Sequence, residues 1–259
     1  MELNGAPAGT EHLAALALTN YGHFTSMLVE AGRVRGLSLH LRRLAADCRK
    51  LFGAGLDSGR VRQYVRRAVE DATEPVVVRV TVYDPCLDLG AIGSDADPHV
   101  LVTVRPAPRG TPTPLRLRAV QYRRDLPEVK HVGLFGALAQ RRTARRAGYD
   151  DVLFVNPDGT ISELSTSNIG FVRGGRVFWP RSDHLPGVTS ALLDDALDRP
   201  GTTEPLTEAD LSSMDAAFAT NAVSGVRAIA SVGDTTWPAQ HQALRRLQER
   251  YLGVPAEEL

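Results

Sequence analysis

The sequence has almost no lysine: Lys50 and Lys130 stand alone among 30 basic residues, the rest being arginine. Chemistry that needs a primary amine therefore has two side chains to draw on, because a guanidinium stays protonated and forms no imine. Cysteine is as scarce. Cys48 and Cys86 make no CxxC pair and no metal-ligand spacing, and two thiols cannot build a disulfide framework, which fits a reducing cytoplasm. Neither charge is in surplus. The 30 basic and 30 acidic side chains cancel, leaving no global field to draw the chain to nucleic acid or anionic lipid. Nowhere do about eighteen apolar residues run uninterrupted, so no membrane span is expected. The opening MELNGAPAGTEHLAAL has no basic segment followed by an apolar one, and no secretion signal is expected either. HExxH, GxGxxG and GxxxxGK[ST] are absent and the 7 histidines are scattered, so no metal site or nucleotide loop is expected.

What is present suffices for a core: 43% of the 259 residues are hydrophobic, enough for one large domain or two modest ones. In LSLHLRRLAADCRKLF, residues 37–52, Leu37, Leu41, Leu44 and Phe52 recur at near-helical spacing with charges between them, the pattern of an amphipathic helix. A second, basic helix is expected over 58–71. VVVRVTVY (76–83) and HVLVTVRP (99–106) alternate and are rich in β-branched residues, as paired strands should be. Prolines then cluster in RPAPRGTPTP, and the reading is a first domain over 1–106, a linker over 107–114 and a second domain over 115–259. The second opens with a strand over 115–122 and a helix, GALAQRRTARRAG, ending at Gly148. Two hairpins with Asp-Gly and Gly-Gly turns follow, then a helix from PGVTSALLDDAL. The fold class is α+β.

Four features could carry chemistry. Lys130, in PEVKH, is the one lysine set apart from the first helix. Glu163 ends a hairpin strand just before Ser165, Thr166, Ser167 and Asn168; facing a buried site, its carboxylate could keep a pyridinium nitrogen protonated. In LPGVTSALL, Gly187 permits close backbone approach and Thr189 offers a hydroxyl at a helix start, where free N–H groups and the positive dipole end suit a phosphate. Arg43, in HLRRL, could clamp the same phosphate. Taken singly, each equally fits a surface lysine, a solvated strand end, a threonine cap and an exposed helical arginine.

In order, YGHFTSMLVEAGRVRGLSLHLRRL, VKHVGLFGALAQRRTARRAGYDDVLFVNPDGTISELSTSNIGFV, LPGVTSALL and FATNAVSGVRAI resemble the class IV aminotransferase family over residues 21–229. That family includes branched-chain and D-amino-acid aminotransferases and aminodeoxychorismate lyases. The resemblance implies a fold-type IV architecture, a small α/β N-terminal domain and a larger pseudobarrel C-terminal domain with pyridoxal 5'-phosphate between them, and a homodimer. It implies that Lys130 holds the cofactor covalently, Glu163 contacts its ring nitrogen, and Arg43, Val188 and Thr189 hold its phosphate with backbone near Asn221 and Ala222. Tyr21, Phe24 and Thr25 occupy the block that lines the substrate pocket in relatives.

Some positions depart from the pattern. Phe135 stands where branched-chain aminotransferases carry a tyrosine five residues after the lysine. The Arg-Gly that follows the first-domain strand in several relatives is missing, since that strand reads Val80-Thr81-Val82-Tyr83. Carboxylate recognition then falls to another group, for which Arg79 and His23 are the substitutes. The leading expectation is a transaminase taking an amino acid or small amine and a keto-acid acceptor. The threonine of FTSMLV and the Lys130-His131 pair lean toward a lyase-like β-elimination releasing pyruvate and an aromatic amine. A degenerate, non-catalytic pyridoxal-phosphate binder is the third reading.

Overall fold

The computed structural model describes residues 1–259. Contacts divide it into two units: Met1–Arg109 with Val129–Gly133 and Ala256–Leu259, and Gly110–Glu128 with Leu134–Pro255.

The first unit runs β1 (Glu2–Leu3), β2 (Ala6–Pro7), α1 (Thr10–Thr19), β3 (His23–Val29), β4 (Arg33–Arg35), α2 (Leu37–Phe52), α3 (Ser58–Ala68), β5 (Val76–Tyr83) and β6 (His99–Pro106). Its sheet has the order β2-β1-β6-β5-β3. Strand alternation splits it into two faces. Met27, Val78, Val80, Val82, Val100 and Val102 pack with Leu44, Cys48, Val61 and Val65 of α2 and α3 in one core. Antiparallel partners share a face, so Thr25, opposite Val80, turns toward the helices, whereas Phe24 and Arg79, opposite Thr81 and Ser26, turn away.

The bounds of α2, β5 and β6 are those the pattern predicts; α3 ends at Ala68 instead of 71. The buried stripe of α2 differs in content. It comprises Leu37, His40, Leu44, Asp47 and Cys48, so two polar side chains occupy a face read as wholly apolar. The sequence reading has no counterpart for α1, whose run TEHLAALALT spreads its apolar residues around the helix, although Leu13, Ala15 and Leu16 pack partly buried against Leu3, Tyr83 and Leu101.

The second unit holds β7 (Leu115–Gln121), α4 (Phe135–Arg146), β8 (Asp151–Val155), β9 (Ile161–Leu164), β10 (Asn168–Arg173), β11 (Arg176–Pro180), α5 (Val188–Asp195), β12 (Thr202–Glu204), β13 (Ala216–Asn221), β14 (Gly225–Val232), β15 (Thr235–Thr236) and α6 (Gln242–Gly253). Strands β10, β13, β14, β7, β8 and β9 follow one another in hydrogen-bonded order, and β9 pairs back to β10 at Glu163 and Asn168. That last pairing closes a six-stranded barrel, the pseudobarrel expected. Along β13, Ala217 and Ala219 pack in one core with Leu117, Leu153, Ile169 and Ile229, while Ala216 and Phe218 face Leu193, Leu244 and Leu247 of α5 and α6. The Gly-Gly turn between β10 and β11 places Gly174 at φ 56° and Gly175 at φ 72°, a pair of left-handed conformations that side-chain-bearing residues resist.

Two segments read as part of the 115–259 domain pack with the first unit. One is Val129–Gly133, which contains Lys130; the other is Ala256–Leu259, whose β16 (Ala256–Glu258) pairs with β4. No helix is long and apolar enough to cross a membrane.

Candidate active site

In the first unit, β3 holds the Lys130 segment by its main chain. Phe24 N–H donates to the Lys130 carbonyl at 2.8 Å and Val132 N–H to the Gly22 carbonyl at 2.9 Å. Lys130 N–H in turn donates to Asp47 Oδ2 on α2 at 3.2 Å. The Lys130 ammonium lies 5.0 Å from the Phe24 ring centroid, within reach of the ring's negative face. Around this lysine stand buried polar groups. Thr25 Oγ1 lies 2.7 Å from His40 Nδ1 and accepts from Arg43 Nη2 at 2.9 Å. Burial, then the charges of Arg43 and Lys130, holds the His40 pKa well below its usual value, so the ring is neutral. Burial also raises the Asp47 carboxyl, an effect opposed by its bond from Lys130 N–H and by the nearby cations.

The opposite face of the sheet carries Arg79, whose guanidinium carbon sits 3.6 Å above the Phe24 ring centroid and whose Nε donates to Thr81 Oγ1 at 3.2 Å. Stacking fixes the guanidinium plane while leaving its remaining N–H groups available to a carboxylate. Tyr21 turns elsewhere: its hydroxyl donates to the Leu51 carbonyl at 3.0 Å and its ring meets Phe52 edge-on. His23 is fully buried with neither ring nitrogen hydrogen-bonded in the chain. Burial, then the Arg43 charge, lowers its pKa to about 4. At neutral pH His23 has no charge to offer a carboxylate, which leaves Arg79 as the cationic candidate.

In the second unit Glu163 is buried at the end of β9. Its Oε1 accepts from Arg124 Nη1 at 2.9 Å and from Leu185 N–H at 3.3 Å. The loop entering α5 is held by Asn168, whose Nδ2 donates to the Leu185 carbonyl at 2.8 Å. Gly187 is required by space: a Cβ there would stand 1.9 Å from Asn168 Oδ1. Val188 and Thr189 open α5 and are buried, and the helix start has no side-chain cap. Asn221, ending β13, is bound up in its own turn. Its Nδ2 donates to Ser167 Oγ at 2.9 Å and its Oδ1 accepts from Val223 and Ser224 N–H, next to Ala222. The neighbouring Thr220 hydroxyl is buried without a partner in the chain. Phe135, where relatives carry a tyrosine, is 85% exposed.

Residues 22–232 match the family model described as amino-transferase class IV. The chain belongs to the class IV aminotransferase family. A Rickettsia bellii (strain RML369-C) protein assigned as a branched-chain-amino-acid aminotransferase is 25% identical over 205 residues, 72% of this chain and 70% of that one. The structure of a branched-chain aminotransferase from Thermoproteus uzoniensis superposes with a TM-score of 0.84 at 20% identity, covering 97% of this chain and 92% of that one. A candidate 4-amino-4-deoxychorismate lyase from Legionella pneumophila superposes with a TM-score of 0.78 at 20% identity, covering 90% of each. These superpositions establish the fold-type IV architecture.

Three polar residues of this class IV aminotransferase escaped the sequence reading. His40 and Asp47 had a legible signal, since both fall on the buried stripe of α2 between Leu37, Leu44 and Cys48. Arg124 had none beyond being one arginine of a pair in the loop before Lys130.

Proposed function

We propose that this class IV aminotransferase is a pyridoxal-phosphate-dependent enzyme that moves an amino group from an amino acid or small amine to a keto acid, with Lys130 carrying the cofactor. The observation that carries the reading is the setting of Lys130. Of the two lysines, Lys50 lies exposed on α2, whereas Lys130 has its N–H and its carbonyl both engaged, by Asp47 and by Phe24, among buried polar groups. When bound, pyridoxal phosphate supplies an aldehyde for a reversible covalent link to an amine and a ring that draws electrons from the substrate's reacting carbon.

The residues present suit that group. Each unit by itself carries donors suited to a phosphate dianion: Arg43 in the first, and in the second the N–H groups of Val188 and Thr189 at the start of α5, with backbone at Asn221 and Ala222 next to the unpartnered Thr220 hydroxyl. The two bonds to Glu163 fall on Oε1, which leaves Oε2 to accept from a protonated ring nitrogen. Once a substrate amine has taken its place on the cofactor, the released Lys130 amine would take the proton from the substrate's α-carbon and return it as a general acid. Phe24 and Arg79 present an apolar face and a carboxylate-binding cation to the substrate, while Tyr21, bonded to the Leu51 carbonyl, turns away from them. We assign the homodimer on the family resemblance and the cytoplasmic location on the two unpaired cysteines, and sedimentation of the purified protein reads the former.

The test is the absorbance spectrum of wild type and Lys130→Ala after incubation with pyridoxal phosphate. A band near about 410–430 nm in wild type, absent from Lys130→Ala, is the expected result. Bleaching by an amino acid, with recovery on adding a keto acid, establishes transamination. Pyruvate released with no added keto acid would replace it by the lyase-like elimination, and no band at excess cofactor would leave a non-catalytic protein.

A further inference from the structure

We propose that Thr25 and His40 form a positioning pair for Arg43: the His40 ring turns the Thr25 hydroxyl so that its oxygen holds the Arg43 guanidinium in the orientation that grips the cofactor phosphate. The inference rests on the reading of Arg43 as a phosphate ligand and changes the role of Thr25, which the resemblance places in the substrate pocket.

Three observations lead there. The register of β3 against β5 puts Thr25 opposite Val80, on the face covered by α2, and its side chain is fully buried. Its hydroxyl already has two partners, Arg43 Nη2 at 2.9 Å and His40 Nδ1 at 2.7 Å. An oxygen that accepts from a guanidinium and gives its one proton to an imidazole nitrogen has little left for a substrate. His40 suits this task because the ring is neutral there, and in the Nε2–H tautomer, which the proposal assigns, its Nδ1 accepts from the Thr25 hydroxyl. Nε2 is buried with no partner in the chain. A protonated His40 would instead donate toward Thr25 and stand as a third cation beside Arg43 and Lys130.

The same strand links this pair to the lysine. The Phe24 N–H bonds the Lys130 carbonyl, and the adjacent Thr25 hydroxyl bonds Arg43. One stretch of β3 therefore fixes the main chain of the amine-bearing residue and the side chain of the phosphate-bearing one. Helix α2 adds the reciprocal tie, since Asp47 accepts from Lys130 N–H one turn beyond Arg43.

The experiment is a pair of binding titrations on the full chain, with pyridoxal phosphate and with pyridoxal, which has the same ring and aldehyde but no phosphate. Thr25→Val keeps the shape and removes the hydroxyl; Thr25→Ser restores the hydroxyl. Expected is a loss for Thr25→Val on the order of tenfold toward pyridoxal phosphate, with pyridoxal changed by less than about twofold and Thr25→Ser close to wild type. His40→Leu, read the same way, gives the same phosphate-selective loss and serves where Thr25→Val does not fold. Equal weakening toward both ligands, or none, overturns the positioning role while wild-type binding keeps the proposed function. Wild type that binds neither ligand overturns the cofactor reading and this inference with it.

Discussion

Arg124 and Glu163 form an ion pair, Nη1 to Oε1 at 2.9 Å, with side chains only 9% and 5% exposed. At that depth the pair is held against its own desolvation, and removing one partner strands the other. We expect Arg124→Leu to cost about 3–5 kcal/mol of unfolding free energy in urea titration. The double change to Leu at Arg124 and Glu163 should cost less than the sum of the singles. Additive losses would show that the two groups do not act on one another.

The cofactor reading predicts where a label lands. Borohydride reduction in the presence of pyridoxal phosphate should fix the cofactor to the Lys130 peptide and not to the Lys50 peptide, read by mass mapping. With only two lysines the result is unambiguous, and label confined to Lys50 would remove the assignment of Lys130.

Stability should fall in mild acid. His23 has its pKa lowered from 6.5 to about 4, by burial and then by Arg43, and His40 is lowered well below 6.5 by burial, Arg43 and Lys130. Below pH 6.5 the unfolded chain binds protons that the folded chain does not. The stabilisation is thus complete above that pH and is lost as pH falls toward about 4, at about 1.4 kcal/mol per pH unit for each histidine. The raised pKa of Asp47 acts in the opposite sense in the carboxylate range, because the fold there keeps a proton the unfolded chain has released. Urea midpoints at about pH 7.5 and 5.5 should differ in wild type and differ less in His23→Leu. An unchanged pH dependence in that variant would mean His23 titrates normally in the fold.

Gly187→Ala should weaken the start of α5. Backbone conformation is no obstacle there, as φ is −76°. The obstacle is Asn168 Oδ1, 1.9 Å from the added carbon, whose displacement would also strain its bond to the Leu185 carbonyl. A loss of about 1–3 kcal/mol is expected, with part recovered when Asn168→Ala is added. Thermal unfolding of the three variants measures both.

The sequence by itself determined the elements whose signal is local. Helix α2 and strands β5 and β6 follow from apolar spacing and β-branched runs, and the Gly174-Gly175 turn from backbone freedom. The scarcity of lysine singled out Lys130 without any structure. Tertiary structure decided which way the polar side chains point. Thr25 faces α2 and Arg79 faces away because a strand has period two and its register is set by its partner, so one residue of slip would exchange their roles. It also decided which distant groups meet. Arg124 and Glu163 are 39 positions apart, and Ala256–Leu259 pack with a unit that ends at Arg109 apart from the Lys130 segment. Pairings of that kind depend on closing long loops against the whole core, and a window of residues cannot encode them.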